Sequence, residues 1–164
     1  MSPQVASTTS VERGYALLHG LLKKEANADK LLWIKLESDD LDLLMGDIST
    51  ACAEARDRLV ELLRPQIDLS RAGLPLIELE VREDIESDTA WELIGAKGKD
   101  FEAQLLLTQL EALRYAANLC RVLARNEKFE VRKVFLEGFG RKATDLRART
   151  YALLVKVLSQ GKEP

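Results

Sequence analysis

Two carboxylates stand where apolar side chains belong. Glu25 and Asp29 are four residues apart, the spacing of one helical turn. At about 100° per residue both fall within about 40° of the direction shared by Val11, Leu18, Leu22, Leu32 and Leu36. Leaving them unpaired in an apolar interior would be costly, so they call for a metal ion, a basic partner or water. A metal site would draw on Glu102 and Glu111 as further oxygen ligands, with iron, manganese or zinc as the cation. A di-metal centre in a helical bundle also requires Glu-x-x-His from two helices. The chain has no such motif, and its one histidine, His19, lies about 100° from the stripe. The leading expectation is therefore no cofactor. The alternative to a metal is a buried polar cluster of Glu25, Asp29, Gln109, Lys142 and Arg149. In it, Lys142 and Arg149, near the apolar stripe of the last helix, pair with the carboxylates. Gln109 and its neighbour Thr108 share the face of Leu105 and Ala112 and would satisfy buried polar atoms.

The remaining inventory is poor in catalytic groups. Cys52 and Cys120 lie far apart in apolar stretches without metal-ligand spacing. They read as small buried hydrophobes, with a disulfide as the alternative. No GxxxxGK(S/T), GxGxxG or GxSxG occurs. Nucleophilic catalysis by Ser, Thr or Cys lacks an adjacent imidazole base, and the expectation leans against an enzyme. Asp84, Glu86 and Asp88 mimic the start of a calcium loop, but Thr89 stands where glycine is needed and Gly95 where glutamate is needed. Gly138-Phe139-Gly140-Arg141-Lys142 has the look of a phosphate loop without the preceding strand, and reads as a helix kink or turn.

The elements that would position these groups are helices. Apolar residues make up 46% of the 164, aromatics 5%, and there are only 9 glycines and 4 prolines, which argues against a turn-rich β fold. Thr9 and Glu12 have capping-box spacing, and a first helix is expected from about Ser10 to Leu36. Ser38-Asp39-Asp40 opens a second, carrying Leu41 to Leu63 and ended or kinked by Pro65. After Gly73-Leu74-Pro75, residues 77–81 alternate like a strand, but a lone strand has no partner. A short helix to Ile94 is preferred, with Trp91 plugging it onto the rest. Asp100 can cap a third long helix, Phe101 to about Arg125, apolar over an arc wide enough to be buried on several sides. The last runs from about Phe129 to Leu158 and is expected to break at 138–140.

The expected fold is all-α, an up-down four-helix bundle with a short extra helix in the long connection between helices 2 and 3. One domain spans 9–160, with a disordered tail at 1–8 and a short one at 161–164. No apolar run reaches the roughly 20 residues of a membrane span, and the N-terminus lacks an apolar signal core. A soluble, cytoplasmic protein is expected.

Charge divides unevenly. Residues 1–120 carry 13 basic and 22 acidic side chains, and residues 121–164 carry 11 and 5. A basic last helix packed beside acidic segments is the plain reading. RNA binding through Arg132, Lys133, Arg141, Lys142 and Arg147 is an alternative, though few aromatics interleave for base stacking and nucleic acid is not the favoured partner.

Gly73-Leu74-Pro75, then Gly98-Lys99-Asp100-Phe101-Glu102 and the run Gln104–Ala117, resemble an uncharacterised bacterial branch of the ferritin-like superfamily. In that branch a Gly-x-Leu-Pro break precedes a short helix, and Gly-x-x-Phe-Asp/Glu opens the long third helix. The resemblance implies a bundle fold. It also implies histidines along these helices, where this chain has Leu113 and its neighbours. The functional expectation is a non-catalytic interaction or structural module lacking a complete di-metal site and forming a homodimer. Metal or small-ligand binding by the inward carboxylates is the alternative.

Overall fold

The computed structural model describes residues 8–33, 38–70 and 73–161. Among them the chain is all-helical, with five α-helices and no strand. These are α1 (Thr8–Glu25), α2 (Asp39–Leu63), α3 (Leu76–Gly95), α4 (Gly98–Asn126) and α5 (Glu130–Gln160), with a 3-10 helix at Ala28–Trp33 between α1 and α2. No helix among the described residues is long and apolar enough to cross a membrane.

Several boundaries differ from those expected, each for a local reason. The first helix does not continue to Leu36. It ends at Glu25 and the chain tightens into the 3-10 turn, so the joint to α2 occupies residues 26–38. Residues 1–7 of the tail expected at 1–8, the Leu36 position and the side chains of Thr9, Leu32 and Trp33 lie outside the described residues, and Thr8, expected in that tail, opens α1 instead. The connecting helix is not short: α3 has 20 residues against 18 in α1, and residues 77–81 are helical. The following helix starts at Gly98 rather than Phe101, and Asp100 lies in its first turn instead of capping it. Gly98 adopts φ +55°, a conformation that costs glycine little, and opens α4 with only two residues between it and α3. The last helix is unbroken through Gly138-Phe139-Gly140. Gly140 serves close packing there: a Cβ at that position would sit 3.4 Å from the Cys120 Cβ, so its absence lets α5 approach α4.

α4 and α5 share the most extensive contact in the molecule; α1 lies against α2 and α4, and α2 against α5. One continuous apolar core results, including Leu18, Leu22, Met45, Ile48, Leu59, Leu105, Leu113, Leu136 and Leu146. Ser38 caps α2, its side chain accepting from the Leu41 N–H at 3.4 Å. Exposed ion pairs Arg149–Asp47 (2.6 Å) and Lys156–Asp40 (2.5 Å) join α5 to acidic α2, each contributing little in water.

A polar tie closes the other end. Tyr15, fully buried on α1, donates its hydroxyl to Glu127 Oε2. Glu127 Oε1 accepts from the backbone N–H groups of Lys128 and Phe129, 2.8 and 2.9 Å away, where α5 begins. Burial and then the Glu127 carboxylate push the Tyr15 phenol above its ordinary range. Hydrogen bonds to charged groups contribute about 1.5–3 kcal/mol. Tyr15→Phe is expected to lower stability by about that amount in urea unfolding at neutral pH, with the m-value unchanged.

α3 is the outlier in packing. Leu93 is its one buried residue. It is held by Lys24–Glu86 at 2.8 Å and by Arg82, which contacts Glu78 at 2.8 Å and hydrogen-bonds Tyr115 of α4. Trp91, expected as a plug, is 71% exposed. Its direction on α3 is the opposite of that of Leu93, the residue that does insert.

Candidate functional site

Burial selects part of the polar cluster. Glu25 ends α1 at 6% exposure and Gln109 of α4 is 3% exposed; their side chains are hydrogen-bonded to one another. Ser49 of α2 donates to the Glu25 backbone carbonyl at 3.3 Å and accepts from the Asp29 N–H at 3.0 Å, bridging the end of α1 to the 3-10 helix. Cys52, one turn along α2, is close enough to feel the Glu25 charge.

The Glu25–Gln109 bond leaves Glu25 Oε2 and Gln109 Oε1 buried without a hydrogen-bond partner among the described residues. Two acceptors cannot satisfy each other, but a protonated carboxyl becomes a donor. Burial raises the Glu25 pKa, opposed by the Gln109 hydrogen bond and by Lys24 and reinforced by Glu86. Burial thus shifts Glu25 toward its neutral form, whose hydroxyl would have Gln109 Oε1 as an acceptor.

The other expected members lie elsewhere. Asp29 is on the 3-10 helix, half-buried, no longer stacked one α-turn above Glu25. Lys142 is exposed, and Arg149 reaches Asp47 rather than Glu25. Glu102 is buried and accepts from the Ser38 N–H at 3.0 Å, placing its charge at the positive start of α2. Glu111 faces solvent. Among the described residues no three His, Cys, Asp or Glu side chains are grouped so as to hold a metal ion. Both cysteines are free and buried, and burial pushes each thiol up to about 12, so neither is an activated nucleophile. Asp84, Glu86 and Asp88 ride on continuous helix and form no loop.

The surface carries two more distinctive features. Along α3, seven large apolar side chains are exposed: Leu76, Ile77, Leu79, Val81, Ile85, Trp91 and Ile94. The same helix holds seven acids and one arginine. Between α4 and α5 runs a groove of about 690 Å³ lined by Arg121, Arg125, Lys133 and Arg141, with Ala117, Ala124, Leu136 and Gly140 as its floor and Glu137, Thr144 and Asp145 alongside. Lys133 and Arg141 belong to the basic face expected for α5. Arg121 and Arg125 come from α4 and were not anticipated. Their i, i+4 spacing beside the small residues Ala117 and Ala124 was the available signal.

Protein-family models, curated proteins and solved structures were all compared with this chain, and none matches it.

Proposed function

We propose that this protein is a non-catalytic interaction module, a ferritin-like four-helix bundle of α1, α2, α4 and α5 without a di-metal site, which pairs with a second copy through α3. The contacts of α1 with α2 and α4, and of α5 with α2 and α4, support the bundle arrangement. A cytoplasmic location belongs to the same reading, since two buried free thiols suit a reducing compartment.

The observation that carries the interaction reading is α3. A surface helix of a self-sufficient domain turns its apolar stripe inward. α3 instead inserts Leu93 alone and leaves Ile77 75%, Ile85 59% and Trp91 71% exposed. Exposed large apolar side chains in this number on one helix of a folded domain mark a contact site.

Sedimentation equilibrium at micromolar concentration tests the reading. The wild-type chain is expected to be dimeric, and Ile77→Ser with Ile85→Ser monomeric with unchanged helical circular dichroism. A wild-type monomer throughout that range, or a double variant that still dimerises, overturns it.

A further inference from the structure

Resting on the assignment of α3 as the contact helix, we propose that its binding surface is the basic groove between α4 and α5 of a second copy of the chain. Two rows of side chains on α3 carry the argument. Ile77, Val81 and Ile85 follow one another at i, i+4, i+8, and Glu80, Asp84 and Asp88 repeat that spacing beside them. At 100° per residue the rows are adjacent on the helix surface. All six side chains are exposed, and none of the three acids makes an ion pair among the described residues.

Such a helix does not pair with its own copy. Each α3 carries seven acids against one arginine, so two of them face to face would set like charge against like. The groove has the complementary character. Its floor is small and apolar, and Arg121, Arg125, Lys133 and Arg141 stand along its walls without an ion pair among the described residues. An apolar floor flanked by unpaired cations is the form that accepts an amphipathic acidic helix. The apolar row spans nine residues, eight rises or about 12 Å of helix. The groove-lining stretch of α5 from Lys133 to Asp145 spans about 18 Å, long enough to hold it. A nucleic-acid strand fits less well: Glu137 and Asp145 lie within the groove, and its lining offers no aromatic face for a base.

Two reciprocal contacts, each α3 in the other copy's groove, close a two-fold dimer. Charge reversal tests this on the full chain. Arg121→Glu with Arg125→Glu is one variant, and Glu80→Lys with Asp84→Lys and Asp88→Lys is the other. Each alone is expected to raise the dimer dissociation constant at least tenfold, with circular dichroism confirming the fold. An equimolar mixture is expected to recover the dimer, because each acidic surface then faces a basic one at both contacts. If the groove variant dimerises normally while Ile77→Ser with Ile85→Ser does not, the groove assignment is overturned and α3 as contact helix stands. Salt-sensitive binding of a single-stranded RNA oligonucleotide, lost in the groove variant while dimerisation persists, also overturns it.

Discussion

Leu105→Ala is expected to lower the unfolding free energy by about 3–5 kcal/mol, and Leu107→Ala by less than about 1 kcal/mol. The two leucines belong to one run of three on α4, and their neighbour Leu106 is as deeply buried as Leu105. Leu105 is 0% exposed and Leu107 53%. Removing Leu105's side-chain atoms forfeits their transfer free energy and leaves a cavity within a close-packed core that its surroundings cannot fully collapse. Leu107 loses only partial contacts on a wetted face. For a chain of this size each kcal/mol shifts the midpoint by about 2–4 °C, so the Leu105 variant should melt roughly 6–20 °C lower. Thermal and urea unfolding of the pair check this, and equal losses would contradict the burial assigned to α4. The comparison also corrects the expectation from sequence that α4 is buried on several sides: Leu107, Tyr115 and Val122 are exposed.

Glu25→Gln is expected to stabilise the protein at alkaline pH by about 1–3 kcal/mol, the cost of a buried polar atom without its hydrogen bond, and to change it little at acid pH. The folded-state pKa of Glu25 is raised above its ordinary value of 4.5. Between those two values the folded state binds more protons than the unfolded chain. Stability conferred by the neutral acid is therefore fully present below pH 4.5 and is lost as pH rises through the raised pKa. Glutamine keeps the amide pairing with Gln109 and cannot ionise. His19 works in the opposite direction: burial, then Arg64, Lys23 and Arg56, lower its pKa, so its contribution improves as pH rises through that range. The difference between wild type and Glu25→Gln cancels the histidine. Urea unfolding at pH 5 and pH 8 should show that difference growing with pH, and a flat difference would remove Glu25 as a buried acid.

The local sequence was informative wherever one helix settles the matter. Leucine and alanine abundance with few glycines and prolines specified helices, and Pro65, Gly73 and Gly98 mark observed breaks. The apolar arc of α1 placed Glu25 inward, and that of α4 placed Gln109 inward. Both are found buried and bonded together. Cys52 and Cys120 are free thiols, as apolar surroundings without ligand spacing suggested. Asp29 departs from its expected place, because periodicity does not encode the change to a 3-10 helix after Glu25.

Helical periodicity fixes which way a side chain points from its own axis. It carries no information on how two axes are rotated and offset against each other. The helical class, the inward carboxyl and the scarcity of catalytic groups were accordingly determined by the sequence alone. Only the tertiary structure decided that Arg149 reaches Asp47 and that Arg121 and Arg125 share a groove with Lys133 and Arg141. α3 is the extreme case. Its apolar residues point in nearly every direction, so no face was specified locally, and the tertiary fold took Leu93 into the core and left the rest open.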